Sequence, residues 1–252
     1  MKVLGKVSVV MPCFNAEATL AESVQGIINQ TFRNWELLLM VDGGGDGTAV
    51  LAKALAQQDD RIRVFISNKN RGVVRSRNLG IRLATGEWLG FCDADDVWLP
   101  EKLTLQLQVA EQAGANLVCS SFQFINVLGA LGTVVHTPKQ IVSDTLLRTN
   151  PIPMSTAIVR LVGNHYFVAV PKQLIHEDYA YWLTMFQKYP IIAQNMQVVT
   201  TRIRQVPGSR SANKWLAAKS HGYILNTYGG QKGLHWYLLM ISYLFNGVLK
   251  RL

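Results

Sequence analysis

The sequence predicts an α/β protein in which a mostly parallel sheet is flanked by helices and followed by a helical C-terminal extension. Over the first 115 residues, short apolar runs rich in β-branched residues alternate with stretches of helical periodicity. These runs are apolar throughout, which is typical of parallel strands covered on both faces. The 252 residues are 49% hydrophobic and 16% charged, which suits one large folded domain or one and a half small ones.

The first half of the chain contains predicted strands and helices in alternation. Strands are expected at 7–11, 35–41, 61–66 and 87–92, and helices at 21–29, 48–58 and 72–85. We expect Pro12 to end the first strand, because proline has no N–H for the ladder. Asn15 or Thr19 is suited to cap the first helix, and Gly86 to end the third. The alternation indicates βαβ units and therefore parallel pairing.

The second half is less regular. Helices are predicted at 100–113 and 176–188, strands at 116–126, 131–135 and 191–199, and shorter segments at 142–147 and 156–159. From residue 208 the chain is basic and aromatic, with helical stretches to its end. We therefore divide it into a domain of residues 1–207, with halves 1–115 and 116–207, and an extension of residues 208–252.

The charge balance predicts an anionic partner. The formal net charge is +9 and the isoelectric point is about 9.6, which favours nucleic acid, a membrane surface or a phosphorylated ligand. A basic protein without such a partner remains the alternative. The three cysteines are far apart and the histidines show no ligand spacing, so we expect buried, reduced thiols and no cysteine or histidine metal site.

Membrane contact is predicted only at the C-terminal end. The apolar run near the N-terminus reads as a strand rather than a signal peptide, and no window reaches the ~20 apolar residues of a membrane span. The segment 234–249 is apolar and aromatic, and Lys250 and Arg251 follow it. This pattern favours a helix lying in the membrane interface, although packing on the domain or on another subunit would fit it too.

Polar residues follow each predicted strand of the first half. The segments are PCFN at 12–15, DGGGD at 42–46, SNKN at 67–70 and DADD at 93–96. Ligands of open α/β sheets bind outside the carboxyl ends of the strands, so we expect these segments to cluster. The first strand-to-helix turn, PCFNAEA, lacks the glycines of a dinucleotide fingerprint, and no phosphate-binding P-loop motif occurs. Hydride transfer and P-loop chemistry are therefore disfavoured.

The acidic residues at 93–96 indicate a positive partner, because unpaired carboxylates this close repel one another. Mg²⁺ and Mn²⁺ take oxygen ligands, usually one or two carboxylates together with substrate phosphates. Asp93 and Asp95 match that need, whereas Asp96 suits a turn or helix cap. At the second strand end, Asp42 fits either a contact to a base or ribose or a turn residue before glycines.

Several motifs in order resemble family 2 glycosyltransferases with the Rossmann-like GT-A fold. They are VSVVMPCFNAEATLAESVQGIINQTF, WELLLMVDGGGDGT and NRGVVRSRNLGIRLATGEWLGFCDADDVWLPEKL, which together span about the first 110 residues. Downstream, HEDYAYW at 176–182 resembles the family's Glu-Asp motif, and GSRSANK at 208–214 resembles a segment of bacterial surface-polysaccharide members, the class that builds lipopolysaccharide and capsule.

The resemblance implies a role for each matching residue. Phe14 would stack on the nucleotide base, Asp42 would read the base edge, and Arg77 would lie near the diphosphate. Asp95 would bind the metal, and Asp93 would contact both metal and ribose. Asp178 would be the catalytic base, with Glu177 beside it. The implied substrate-binding residues are Pro12, Phe14, Asn15, Asp42, Arg77, Asp93, Ala94 and Arg210. For Arg202, Arg204 and Arg210 a contact to diphosphate or acceptor and a purely structural loop role both stay open.

This chain departs from the family pattern beside Asp42. Val41 stands where the family commonly has the first acid of an Asp-Asp pair, and Gly44 and Gly45 stand where it commonly has Ser-Thr. Both departures affect the prediction of which nucleotide base the protein prefers. The aromatic residues of 176–189, by contrast, are expected to be helix core rather than a sugar platform.

The resemblance implies an inverting glycosyltransferase that uses Mg²⁺ or Mn²⁺ and a nucleotide-diphosphate sugar, expected to be a UDP-sugar. The acceptor would be a lipid-linked or growing surface glycan at the cytoplasmic face of a bacterial inner membrane, and nucleic acid would not be a partner. The alternatives are a metal-dependent nucleotidyltransferase, which would want a basic glycine-rich loop at the first strand end, and a non-catalytic nucleotide-sugar-binding membrane scaffold.

Overall fold

The computed structural model describes residues 5–161, 166–208 and 213–249. In its first half, strands and helices alternate as expected. The strands are β1 (Val7–Cys13), β2 (Trp35–Asp42), β3 (Ile62–Ser67) and β4 (Trp88–Phe91), and the helices are α1 (Leu20–Ile28), α2 (Thr48–Ala56) and α3 (Val73–Leu83). β1 pairs in parallel with both β2 and β4, and β2 pairs in parallel with β3.

The second half adds antiparallel strands and the remaining helices. The strands are β5 (Val97–Trp98), β6 (Leu117–Ile125), β7 (Leu131–Val135), β8 (Gln140–Ile141), β9 (Ile158–Arg160) and β10 (Ala193–Arg204). The helices are α4 (Lys102–Ala113), α5 (Ser143–Arg148), α6 (Glu177–Lys188), α7 (Lys214–Thr227) and α8 (Gly233–Leu249), with a 3₁₀ turn at Met154–Thr156.

All described strands belong to one sheet with the order β3-β2-β1-β4-β9-β6-β10-β5, while β7 pairs with β6 and β8 with β10. The pairs β9–β4, β9–β6 and β10–β5 are antiparallel, whereas β10 and β6 are parallel. The expected α/β class with a mostly parallel sheet is confirmed. The sequence did not predict that β9 lies antiparallel between β4 and β6, because an apolar run does not show the direction in which a strand pairs.

Pro12 does not end β1, contrary to the sequence-based expectation. β1 continues through Pro12, because the position of the proline nitrogen faces the side of β1 on which β4 has already ended. The carbonyl of Val10 faces β4 and accepts the N–H of Cys92 at 3.1 Å. Backbone groups two residues apart in a strand face the same side, and β4 ends at Phe91. The missing N–H of Pro12 therefore costs no ladder hydrogen bond.

The end predicted for the strand at 191–199 was wrong, because β10 continues to Arg204. The short segment at 142–147, which was given no type, contains the helix α5, and β5 was not predicted. β10 has register shifts between Asn195 and Thr201 and a left-handed residue, Gln197, with φ of 59°. Such a bulge hides the period-two pattern from which a strand's length is read.

Residues on the two faces of the sheet form two core layers. One layer contains Val9 of β1 together with buried residues of α1 and α4, and the other contains Val10 of β1 together with buried residues of α6. Ile224 of α7 and Leu239 of α8 belong to the second layer. The C-terminal helices thus cover the same face as α6, while the division into residues 1–207 and 208–252 stays a prediction.

Two further expectations concern side chains. The aromatic residues Tyr179 and Trp182 of α6 are fully buried, as expected for helix core. The cysteines Cys13, Cys92 and Cys119 are buried free thiols, again as expected. Within the described part of the chain, no helix has both the length and the apolarity needed to cross a bilayer.

Candidate active site

The carboxyl ends of β1, β2 and β4 surround a cavity of about 510 Å³. It is called here the donor cavity, after the role that the family resemblance implies for its residues. It brings together most of the residues singled out from the sequence. Its lining includes Pro12, Phe14, Asn15, Asp42, Arg77, Asp93, Ala94, Asp95 and Glu177. Arg210 lies outside the described residues. The clustering follows from parallel strands, whose carboxyl ends meet at one edge of the sheet.

Phe14 and Asn15 form the rim of the donor cavity after β1. Phe14 is 49% exposed, so its side chain is accessible to a planar ligand that could stack on the ring. Asn15 has a φ of 48°, in the left-handed region that asparagine tolerates better than most residues. Its side-chain oxygen accepts the N–H of Gly45 at 3.1 Å, which ties the first strand-end loop to the second.

Asp42 is buried at the end of β2 and orders the loop after β3. Its carboxylate accepts the N–H of Arg71 at 2.9 Å and that of Gly72 at 2.6 Å. Gly43, with φ of 72°, approaches this loop so closely that an added Cβ would lie 2.9 Å from the nitrogen of Asn70. Asp42 therefore shapes the cavity wall while it lines the cavity.

Arg77 connects the two halves of the domain. It is 3% exposed and donates to Asp93 at 2.7 Å and to Glu177 at 3.0 Å. Burial disfavours its charge, but the carboxylates of Asp93 and Glu177 outweigh burial and raise the pKa of Arg77. The positive partner expected near the acidic segment is thus supplied partly by the protein. Nε of Arg77 is buried and has no protein partner within the described residues.

The acids at 93–96 have separate environments. Asp95 lines the donor cavity, and its pKa is raised by burial and then by the charge of Asp93. Asp96 is buried and accepts the backbone N–H of Arg204 at 3.0 Å. Burial raises the pKa of Asp96 well above its ordinary value. Asp96 therefore holds β10, and Asp95 is left facing the cavity.

Backbone contacts fix the acidic loop in place. The carbonyl of Ala94 accepts the hydroxyls of Thr19 at 2.8 Å and Ser23 at 2.9 Å, both from the α1 region. Nε of Arg204 donates to the carbonyl of Asp95 at 3.0 Å, and its guanidinium also contacts Glu22. Arg204 thus has structural contacts, and it also lines a neighbouring cavity, so a contact to substrate stays open.

Asp93 and Asp95 suit a divalent metal site. The part of the chain that the structure describes has no group of three or more His, Cys, Asp or Glu side chains able to hold an ion. Two carboxylates facing a cavity nevertheless match Mg²⁺ or Mn²⁺, because these ions commonly complete their coordination with substrate phosphates and water. Burial and then the charge of Asp93 raise the pKa of Asp95, and a bound cation would offset both effects.

A second cavity of about 890 Å³, called here the acceptor cavity, adjoins the donor cavity at Asp95, which lines both. Glu177 and Asp178, consecutive at the start of α6, face different cavities: Glu177 lines the donor cavity and Asp178 the acceptor cavity. The preceding residue, His176, has a φ of 72° at the helix N-cap. Strained backbone of this kind persists where surrounding contacts enforce it, often at functional sites.

The carboxylate of Asp178 is held by two hydrogen bonds. Oδ2 accepts the side-chain N–H of Asn150 at 2.8 Å, and Oδ1 accepts the backbone N–H of Tyr179 at 2.8 Å. Burial, and then the charge of Glu177, raise the pKa of Asp178 above its ordinary value. A fixed carboxylate with a raised pKa at a cavity wall is suited to take a proton from a hydroxyl.

Sequence reasoning missed Asn150 and the role of His176. Asn150 lies in an irregular segment before the 3₁₀ turn, and no motif marks it. His176 contributes a left-handed backbone conformation before the Glu-Asp pair. The identity of a residue does not indicate such a conformation.

The sequence comparisons agree with the motifs. The family model described as glycosyl transferase family 2 matches residues 8–174. The UDP-Glc:alpha-D-GlcNAc-diphosphoundecaprenol beta-1,3-glucosyltransferase WfgD of Escherichia coli is 29% identical over 246 residues, covering 97% of this chain and 94% of the relative. The putative teichuronic acid biosynthesis glycosyltransferase TuaG of Bacillus subtilis is 27% identical over 250 residues, covering 98% and 97%.

Solved structures share the fold. S. aureus TarS 1-349 in complex with UDP-GlcNAc superposes with a TM-score of 0.72 at 16% identity, covering 95% of this chain and 71% of that one. The mannosyltransferase PcManGT from Pyrobaculum calidifontis, in complex with GDP-Man and Mn²⁺, gives 0.67 at 14% identity, covering 96% and 69%. At these identities the likeness shows the fold alone, and it confirms the expected GT-A architecture.

Proposed function

Because the chain belongs to glycosyl transferase family 2, and is thus a glycosyltransferase, we propose that it moves a sugar from a UDP-sugar to a hydroxyl of a lipid-linked glycan with inversion. The observation that carries this proposal is the meeting of two cavities at Asp95, with Glu177 facing one and Asp178 the other. Such a pair of cavities would place donor and acceptor on opposite sides of one reacting carbon.

In the donor cavity, the exposed ring of Phe14 would stack on the uracil base, and Asp42 would contact its edge or the ribose. Asp93 and Asp95 would hold Mg²⁺ or Mn²⁺. When bound, that ion neutralises the charge that grows on the leaving diphosphate. Arg77 would lie near the diphosphate and hold Asp93 in place, its own charge being paired with the carboxylates of Asp93 and Glu177.

In the acceptor cavity, Asp178 would accept the proton of the attacking hydroxyl. The oxygen of that hydroxyl forms a bond to the anomeric carbon as the bond from that carbon to the UDP oxygen breaks. One attack from the face opposite the leaving group inverts the configuration. A double displacement would need a second carboxylate as nucleophile, and the neighbouring one, Glu177, is bonded to Arg77 instead.

The substrate classes are supported by what the relatives are named for. WfgD is named for transfer of glucose from UDP-Glc to a GlcNAc-diphosphoundecaprenol, and TuaG for teichuronic acid biosynthesis. By analogy, we propose that this chain uses a UDP-sugar donor and a lipid-linked acceptor. It would take part in the synthesis of a bacterial surface polysaccharide such as lipopolysaccharide or capsule.

Nucleotide binding tests the donor assignment. With Mn²⁺ or Mg²⁺ present, UDP at a hundredfold excess over its Kd should stabilise the fold by about 2.7 kcal/mol, a rise in Tm of about 5–10 °C for a chain of this size. Differential scanning fluorimetry with UDP, GDP, CDP and ADP measures it. Phe14→Ala is expected to weaken the UDP shift with little effect on the ligand-free Tm, because about half of Phe14 is already exposed. If none of these nucleotides raised the Tm, the donor assignment would be wrong.

The C-terminal helices would place the enzyme at the cytoplasmic face of the inner membrane. α8 exposes Leu234, Tyr237, Leu238 and Ile241, and Trp215 of α7 is 88% exposed. Lys214 and Lys219 lie beside Trp215 in the groove between the two helices. Exposed apolar and aromatic side chains next to lysines are typical of helices that bind an anionic bilayer surface.

Vesicle binding tests this placement. The double substitution Leu238→Glu and Ile241→Glu should lower sedimentation with phosphatidylglycerol-containing vesicles at least about tenfold, because each inserted side chain contributes roughly 1.5–3 kcal/mol. Leu128→Glu is the matched control, since Leu128 is 89% exposed in the β6–β7 turn. Equal sedimentation of the double variant and the wild type would exclude α8 as the membrane-binding surface.

A further inference from the structure

Three aromatic rings from α6, α7 and α8 stack in a column at the wall of the acceptor cavity. The ring centroids of Tyr179 and His221 are 4.8 Å apart with an interplanar angle of 1°. Those of His221 and Tyr243 are 3.9 Å apart at 13°. All three residues line the cavity that Asp178 also lines. The C-terminal helices, which sequence reasoning treated as an extension, therefore form part of this cavity.

His221 is the middle ring of the column, and it is buried without a protein hydrogen bond at Nε2. Its side chain is 2% exposed, and Nε2 has no hydrogen-bond partner within the described residues. Burial, and then the nearby His176, lower the pKa of His221 to about 3, so the imidazole is neutral at physiological pH. A buried polar atom without a hydrogen-bond partner lowers the stability of the fold. The position of Nε2 therefore points to a role in function.

Tyr179 links the column to the catalytic carboxylate. It follows Asp178 in α6, and its backbone N–H donates to Oδ1 of Asp178. Its own hydroxyl donates to the carbonyl of Leu146 at 2.7 Å, so the ring is held in place. The column thus sits at a fixed position relative to the group that would receive the acceptor proton.

Resting on the function proposed above, we propose that His221 and Tyr243 bind the acceptor sugar and help to select it. A neutral imidazole offers one N–H donor and one acceptor nitrogen, which suits a sugar hydroxyl. Tyr243, the one ring of the three that is partly exposed, offers apolar surface for the C–H face of a pyranose. His221 acts by binding and not as a base, because Asp178 already holds that position and a neutral imidazole with so low a pKa takes up protons poorly.

The test separates acceptor binding from folding and donor binding. His221→Phe keeps an aromatic ring in the column and removes both nitrogens. With UDP-glucose and a synthetic GlcNAc-α-diphospho-lipid as acceptor, the acceptor KM should rise about tenfold, the loss of roughly one hydrogen bond to a buried group. The Kd of UDP, measured by calorimetry, and the Tm should stay at wild-type values. His221→Gln, which retains a donor and an acceptor, should recover part of the lost affinity.

Tyr243→Phe and His235→Phe complete the set. Tyr243→Phe keeps the ring and should have a smaller effect on acceptor KM than His221→Phe. His235 lies exposed on α8, so His235→Phe is the matched control and should behave as wild type.

The two proposals fail in different ways. Wild-type acceptor KM in His221→Phe, or equal loss of UDP affinity and acceptor affinity, would overturn the role of His221 while leaving the proposed function intact. A wild-type protein that neither binds UDP nor transfers any sugar would overturn the proposed function, and this inference with it.

Discussion

Asp178→Asn should lower kcat by about 10²–10⁴-fold, the usual contribution of a positioned general base, while the Kd of UDP stays unchanged. Asparagine keeps the shape of the side chain but has no carboxylate to receive the acceptor proton. Asp178 lines the acceptor cavity and not the donor cavity, so nucleotide binding has no reason to change. Steady-state rates of transfer and calorimetric titration with UDP measure the two quantities.

The matched control is Asp144→Asn. Asp144 is an exposed carboxylate on α5, paired only with Arg148 among the described residues, and its loss should leave kcat within about twofold, as expected for a surface ion pair of less than about 1 kcal/mol. Transfer at the wild-type rate by Asp178→Asn would show that another group takes the proton.

Asp95→Asn should lower kcat/KM by about 10²–10³-fold, because metal-ion stabilisation of developing charge contributes several kcal/mol. The variant should also lose most of the rate increase that Mn²⁺ or Mg²⁺ produces. Asp95 lines both cavities and has no protein cation on its carboxylate within the described residues, unlike Asp93, which is bonded to Arg77. Titration of the rate with metal after treatment with EDTA measures the effect.

Asp60→Asn serves as the control for that experiment, since Asp60 is an exposed carboxylate before β3. Its metal titration should match that of the wild type. A wild type whose rate is unaffected by EDTA, or an Asp95→Asn variant with an unaltered metal response, would exclude a role for the metal at this site.

The donor side of the site was predictable because its residues directly follow buried strands. An apolar run shows where a parallel strand ends, and all such ends meet at one edge of the sheet. Phe14, Asp42 and Asp95 could therefore be placed together from residue order alone. The resemblance to a family then supplied roles for them, which the pattern of residues leaves open.

The acceptor side depends on contacts between residues far apart in sequence. Asn150 meets Asp178 across 28 positions, Arg77 meets Glu177 across 100, and the ring column joins three separate helices. A local motif cannot predict such pairings, because each residue taken alone is equally consistent with a purely structural role. The ion pair between Arg77 and Glu177 illustrates this: the resemblance implied that Arg77 lies near the diphosphate but said nothing of its carboxylate partner.

The pH dependence of kcat/KM tests most directly the central claim that Asp178 receives the acceptor proton. The base must be ionised, so the rate should fall as pH decreases through the pKa of Asp178, and burial places this acidic limb above the ordinary aspartate range. At saturating Mn²⁺ or Mg²⁺, which would keep Asp95 ionised, we expect the limb to be present in the wild type and absent from the residual rate of Asp178→Asn. An acidic limb at the same pH in both proteins would contradict the assignment of Asp178 as the base.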